Sequence, residues 1–327
     1  MSSKILITEN IKGRWVEELQ SRFDVQLEPE LWKSPEKLYN LISDYDALIV
    51  RNQTDVDSVL IDAGIRLKII GRAGAGLDNI NVEAAAKAGI VVTSTPDQNS
   101  ISVAESTIGM MLALARMLPA ANTDVRNGNW QRQKFVGTEL YGKTFGVIGL
   151  GRIGFLTALR ANALGMNILA HDAYISADAA PVTETHAKLV DLETLLRKSD
   201  FISCHIPLTP ETRHIFNYKR FSQMKPESFF MNLSRGGVVD EQDLIKALEN
   251  KKIKGAALDV REQEPPVQSA LSEMDNVILT PHIAAFTHEA QERVVNAVCQ
   301  DVAAVLEGNG AKNSVNFPKP KQAVEIG

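Results

Sequence analysis

Three residues of different chemical type stand just past apolar runs in the second half of the chain. They are Arg235 in FFMNLSRGGVVD, Glu264 in GAALDVREQEPP and His282 in NVILTPHIAAFT. An isolated histidine at such a place is ordinarily a core residue bonded to nearby backbone. An arginine and a glutamate in equivalent positions change its meaning. Imidazole takes up and returns a proton near neutral pH. A guanidinium grips a carboxylate through a planar fork of donors. A glutamate bonded to the imidazole orients the ring and sets its tautomer. Asp259, ending the GAALD run, suits positioning of a loop or a bound amide better than proton transfer.

A second pattern supplies a redox partner for this trio. FGVIGLGRIG gives Gly149-x-Gly151-x-x-Gly154 directly after a buried strand and at the mouth of a helix. The first glycine makes the tight turn, the second admits a pyrophosphate to the backbone, and the third lets helix and strand pack closely. Backbone N–H groups and the helix dipole then face the phosphates. Asp172 ends the next apolar run, NILAHD, where a carboxylate accepts the adenosine ribose hydroxyls and repels a 2′-phosphate. Its neighbours are His171 and Ala173, with no arginine, so NAD is expected over NADP. Together the two patterns suit oxidation of a 2-hydroxy acid. His282 takes the hydroxyl proton while Arg235 holds the carboxylate and hydride leaves for the nicotinamide.

The elements that must position these groups follow one plan. KILIT, ALIV, LKII and IVVT read as buried strands separated by helical stretches such as GRWVEELQSRF and NVEAAAKAG. A second series of six runs begins near residue 144: FGVIGL, NILAHD, FISCHI, SFFMNLS, GAALDV and NVILTP. All three catalytic candidates follow strands at their carboxyl ends, the edge at which open α/β sheets bind ligands. Between the series, SISVAESTIGMMLALARML is apolar on nearly every side and is expected to be buried all round, at a junction of two domains. DEQDLIKALENKK reads as an amphipathic helix, Thr287 to about Gly308 as another, and NSVNFPKPK as an irregular tail. The expected class is α/β, with two Rossmann-like domains built on doubly wound parallel sheets.

Composition agrees with an ordinary globular chain. Its 327 residues exceed a usual single core, and a net charge of −5 with no basic block argues against nucleic acid or an anionic membrane as partner. No signal, transit or membrane-spanning segment is read, and Cys204 and Cys299 have no metal-ligand spacing. A cytoplasmic protein without a metal is expected.

These motifs, with RAGAGLDNI, FVGTELYGKTFGVIGLGRIG, HIPLTPET and NLSRGGVVDE, span nearly the whole chain. In them the sequence resembles the D-specific 2-hydroxyacid dehydrogenases, the phosphoglycerate dehydrogenases most among them. The resemblance implies a flavodoxin-like substrate domain from both chain ends, 1–98 and 287–327, and an NAD-binding Rossmann domain at 99–286. It implies catalysis by Arg235, Glu264 and His282 between the two. Implied NAD contacts include Ala75, Gly149, Gly151, Arg152, Ile153, Gly154 and Asp172. Further ones are Ile206, Pro207, Leu233, Ser234, Arg235, Asp259, His282, Ala284 and Ala285. The substrate would meet Arg51, Asn52, the amides of Gly74, Ala75 and Gly76, Arg235 and His282. A homodimer through the NAD-binding domains is implied, with Trp130 and Phe135 as candidate contacts. No C-terminal regulatory domain is expected.

The resemblance is looser around the substrate. Asn52 and Gln53 stand where phosphoglycerate enzymes tend to carry small residues, and Phe286 replaces a small residue close after the histidine. Arg51, Arg132 and Lys134 are candidates for a phosphate or sulfonate. 3-Phosphoglycerate is the expected substrate, with sulfolactate, glycerate or hydroxypyruvate, and glyoxylate as alternatives. An NAD-sensing, corepressor-like binding protein is the alternative of another class. The remaining histidines, His171, His186, His205, His214 and His288, read as structural or surface residues, His205 lying nearest the cofactor edge.

Overall fold

The computed structural model describes residues 2–318. Within them the chain divides into two compact units, residues 2–99 with 287–318 and residues 100–286. The α/β class and the two parallel sheets agree with the expectation.

The first unit holds β1 (Lys4–Ile7), β2 (Asp24–Leu27), β3 (Ala47–Val50), β4 (Ile69–Arg72) and β5 (Val91–Thr93). They pair in parallel in the order β2-β1-β3-β4-β5. Apart from the exposed Lys4 that starts β1, the interior strands β1 and β3 are runs of Val, Ile, Leu and Ala with almost no exposure, because helices cover both faces of a parallel sheet. β2 was not foreseen; it is an edge strand whose residues alternate between exposed and half-buried. The final helix, His288–Leu306, lays Val294, Val295, Val298 and Val302 into the same core as β1, β3 and β4. Thr287 caps it by accepting the Ala290 N–H.

Residues 313–318 of the tail are irregular, as expected, but tied to the sheet; 319–321 lie outside the described residues. Ser314 bridges to Thr93, Val315 N donates to Val92 O, and the Asn316 side chain bonds both Val92 N and Ile90 O. It therefore covers the exposed edge of β5.

The second unit holds β6 (Thr144–Ile148), β7 (Asn167–His171), β8 (Lys188–Leu189), β9 (Phe201–Cys204), β10 (Phe229–Asn232), β11 (Gly255–Leu258) and β12 (Val277–Leu279). Their order is β12-β11-β10-β9-β6-β7-β8. The direction of winding reverses between β6 and β9, which makes the carboxyl end of β6 the switch point where such sheets take ligands. The two-residue β8 had no separate signal.

The Ser100–Arg116 helix departs from expectation. It buries Val103, Met110, Met111 and Leu114, but Ile101, Glu105, Gly109, Leu112 and Arg116 form an exposed stripe at helical spacing. The sequence is apolar all round, yet the fold covers only part of its circumference.

Candidate active site

The glycine loop leaves β6 at the switch point. Gly149 has φ +86, a left-handed conformation that side-chain-bearing residues rarely adopt, and its N–H bonds His171 O at the end of β7. A β-carbon at Gly154 would lie 2.0 Å from Gly149 O, so only glycine lets the Arg152–Ala163 helix start this close to the strand. At Gly151, by contrast, a β-carbon would meet nothing within 4 Å. The second glycine thus faces open space where a pyrophosphate approaches, and no side chain caps the helix start. Asp172 Oδ2 accepts the Leu150 N–H at 2.8 Å, fastening the carboxylate to the loop. The residues present fit a dinucleotide.

The segment after β9 closes one side of this loop. His205 O and the Ile206 side chain are the nearest atoms to a β-carbon built at Gly149. His205 Nε2 bonds Ser203 Oγ, and burial pushes the imidazole down to about 4. The ring is therefore neutral at physiological pH and serves as packing. After β10, Ser234 Oγ donates to Asn232 Oδ1, while Leu233 is buried, so only its backbone could face a ligand.

Glu264 and His282 meet. Glu264 Oε2 lies 2.7 Å from His282 Nδ1, with the two side chains roughly a third and two-fifths exposed. A carboxylate only accepts hydrogen bonds, so Nδ1 carries the proton in the neutral ring and Nε2 is the nitrogen left to accept one. Burial acts to raise the Glu264 carboxyl. The hydrogen bonds from His282 and the Arg261 N–H, with the charges of His282 and Arg235, outweigh it and hold the group below the usual carboxylate range. Arg235 thus joins the pair through its field, and its Nη1 donates to Ser234 O.

Asp259 has a definite task. His282 has φ +56, and a non-glycine residue held there stores on the order of 1–3 kcal/mol of strain. Asp259, 1% exposed, supplies what holds it. Its backbone O accepts His282 N, Oδ1 accepts Thr280 Oγ1 and Ile283 N, and Oδ2 accepts Ala284 N, the amide bonds all at 2.8 Å. The carboxylate organises the turn that aims the histidine. Phe286, which follows, is exposed.

The substrate candidates of the first unit stand on its own sheet edge. Arg51 follows β3, and Arg72 ends β4 opposite Val50. Arg72 folds over Gly74, where a β-carbon would fall 1.6 Å from its Nη1. Two residues here escaped sequence reading. Arg72 lies in the RAGAGLDNI motif but was not singled out. Glu9, 2% exposed, accepts the N–H groups of Arg51, Gln53 and Thr54 and the Thr54 hydroxyl, and so shapes the loop carrying Arg51 and Asn52. Burial works against the Arg51 charge, and Glu9 opposes that effect. On the second unit, Lys134 pairs with Asp124 and lies over the Phe135 ring, while Trp130 is 77% exposed.

Comparison with known proteins gives a consistent result. Residues 108–284 match the family model described as D-isomer specific 2-hydroxyacid dehydrogenase, NAD binding domain. A D-3-phosphoglycerate dehydrogenase from Methanocaldococcus jannaschii is 46% identical over 98% of this chain and 60% of its own length. One from Synechocystis is 44% identical over 97% of this chain and 56% of its own. The chain thus spans less than two thirds of those relatives. Among solved structures, the D-lactate dehydrogenase from Aquifex aeolicus, complexed with NAD and lactic acid, superposes with a TM-score of 0.87. It is 30% identical, and the match covers 97% of this chain and all of that one.

Proposed function

Because this chain belongs to the D-isomer specific 2-hydroxyacid dehydrogenase family, we propose that it is an NAD-dependent oxidoreductase acting on a small 2-hydroxy or 2-keto acid. The observation that carries the reading is the 2.7 Å contact between Glu264 and His282 at the carboxyl edge of a sheet that also bears a dinucleotide loop. When bound, NAD supplies the hydride acceptor. His282 Nε2 takes the hydroxyl proton in oxidation and returns it to the carbonyl oxygen in reduction. Arg235 holds the substrate carboxylate and polarises the developing carbonyl. Glu264 keeps the imidazole in the tautomer this exchange needs. Asp172 disfavours a 2′-phosphate, so NAD is the preferred cofactor.

Within that class we propose 3-phosphoglycerate as substrate. Relatives named for it share 44–46% identity with this chain. Arg51 and Arg72, at the ends of adjacent strands, offer two guanidinium groups suited to a phosphate. The amides of Gly74, Ala75 and Gly76 suit a carboxylate. Incubating the protein with NAD or NADP and a panel of 3-phosphoglycerate, sulfolactate, glycerate and lactate, and with the reduced cofactors plus hydroxypyruvate and glyoxylate, tests this by absorbance. The expected result is turnover of 3-phosphoglycerate with NAD above all others. Turnover of another acid would move the substrate assignment, and tight NAD binding without turnover anywhere would favour a sensor.

A homodimer through the second unit belongs to the same proposal, as does a cytoplasmic location. The exposed stripe containing Ile101 and Leu112, with Trp130, Val136 and Tyr141, is the apolar surface that would be covered. Light scattering should give twice the chain mass, and Trp130→Glu should shift it toward the monomer. A wild-type monomer at micromolar concentration would sink the idea.

A further inference from the structure

Glu264 sits on a loop that leaves β11, and that loop is anchored by a buried ion pair. Arg261 turns inward and binds Glu241, the first residue of the Glu241–Glu249 helix, in fork geometry: Nε to Oε1 at 2.9 Å and Nη2 to Oε2 at 2.7 Å. The two side chains are 8% and 14% exposed. Glu241 Oε1 also accepts the Glu262 N–H at 2.7 Å, and Arg261 Nη2 reaches Ser269 Oγ. One carboxylate therefore fixes the loop through a side chain and through backbone.

The same residue connects directly to the acid of the catalytic pair. The Arg261 N–H donates to Glu264 Oε1 at 3.0 Å, which leaves Oε2 for His282. On its other side the Arg261 carbonyl packs against the glycine that follows Arg235; a β-carbon at Gly236 would lie 1.8 Å from Arg261 O. The backbone of residue 261 is thus wedged between the loop carrying the arginine and the loop carrying the glutamate. A buried ion pair is weak evidence for stability, because desolvation offsets much of its attraction. A fixed bidentate fork does supply geometry.

We propose that Glu241 and Arg261 are positioning residues: their buried pair sets which oxygen of Glu264 faces His282 and at what distance, and so tunes proton exchange without touching substrate. This rests on the reading of Glu264 and His282 given above. The titratable and charged groups around the loop are His282 and Arg235 against Glu264, and His214 against Glu262 at 2.6 Å and Asp240 at 3.8 Å.

The test compares Arg261→Met, Arg261→Lys and Glu241→Gln with wild type in the hydroxy-acid assay, measuring kcat, KM for NAD, the pH profile of kcat/KM and Tm. For Arg261→Met, kcat should fall by up to about 10²-fold, as for a displaced catalytic group. KM for NAD should stay put. The acid limb of the profile should move from its wild-type position, which a purely structural pair would leave in place. Arg261→Lys, with a single ammonium, should fall between. A lowered Tm in both Arg261→Met and Glu241→Gln with kcat within twofold and the limb unmoved would overturn the proposal, leaving a purely structural pair. If Arg261→Met does not fold, Glu241→Gln decides by the same criteria. A wild-type protein without turnover would instead mean that the active-site reading itself has failed.

Discussion

His282→Ala is expected to lower kcat by about 10²- to 10⁴-fold, the range typical of removing a general acid–base, with NAD affinity nearly unchanged. The imidazole side chain is 41% exposed, so its loss opens no buried cavity, and Tm should move little. Neither neighbouring acid is placed to substitute: Asp259 has its carboxylate committed to the turn, and Glu264 Oε1 is taken by the Arg261 N–H. His282→Asn provides a control for the backbone, because asparagine tolerates the left-handed φ of this position. Both variants should fail alike in single-turnover hydride transfer. Near-normal rates in either would remove His282 from the acid–base role.

The Asp259→Asn variant should lose both stability and rate although residue 259 exchanges no proton. Replacing either oxygen by an amide nitrogen turns an acceptor toward an N–H donor of the 283–284 turn, at a site only 1% exposed. An unsatisfied buried donor costs about 1–3 kcal/mol. The strained backbone of His282 then loses what holds it, and the ring swings out of line with Glu264. A fall in Tm of several degrees together with a kcat reduced by about 10²-fold, the scale of misplacement effects, is expected by thermal melting and steady-state assay. If Tm fell but kcat did not, the turn would be structural and the aim of the histidine would be set elsewhere.

How much of this could be read beforehand depends on what each residue's neighbours in sequence disclose. Strands such as ALIV and FISC are legible because a strand covered on both faces is apolar at nearly every position, in a run too short for a helix. Asp24–Leu27 and Lys188–Leu189 lie toward sheet edges, half exposed, and carry no such run. Arg235, Glu264 and His282 stood out as three chemically complementary types, each at or beyond the end of an apolar run. Glu9 and Arg261 also follow such runs and Glu241 opens a helix, but no complementary partner nearby in sequence marks them. A charged residue in a polar loop or at a helix start is usually solvated, and only tertiary folding brings position 241 against 261 or Glu9 beneath the 51–54 loop. The Ser100–Arg116 helix misled in the opposite sense, since an all-apolar circumference does not say which stripe the fold will leave uncovered.

The interleaving of the two units also orders events at the ribosome. Residues 100–286 form one unbroken stretch and possess every strand of their sheet once that stretch has emerged. Residues 2–99, synthesised before that stretch, must wait for Val294, Val298 and Val302 to close their core and for Asn316 to cover the margin of β5. At about 5–20 residues per second of translation, the first unit stays unfinished for roughly ten seconds or longer. During that interval its apolar strands depend on the nascent chain's surroundings for protection.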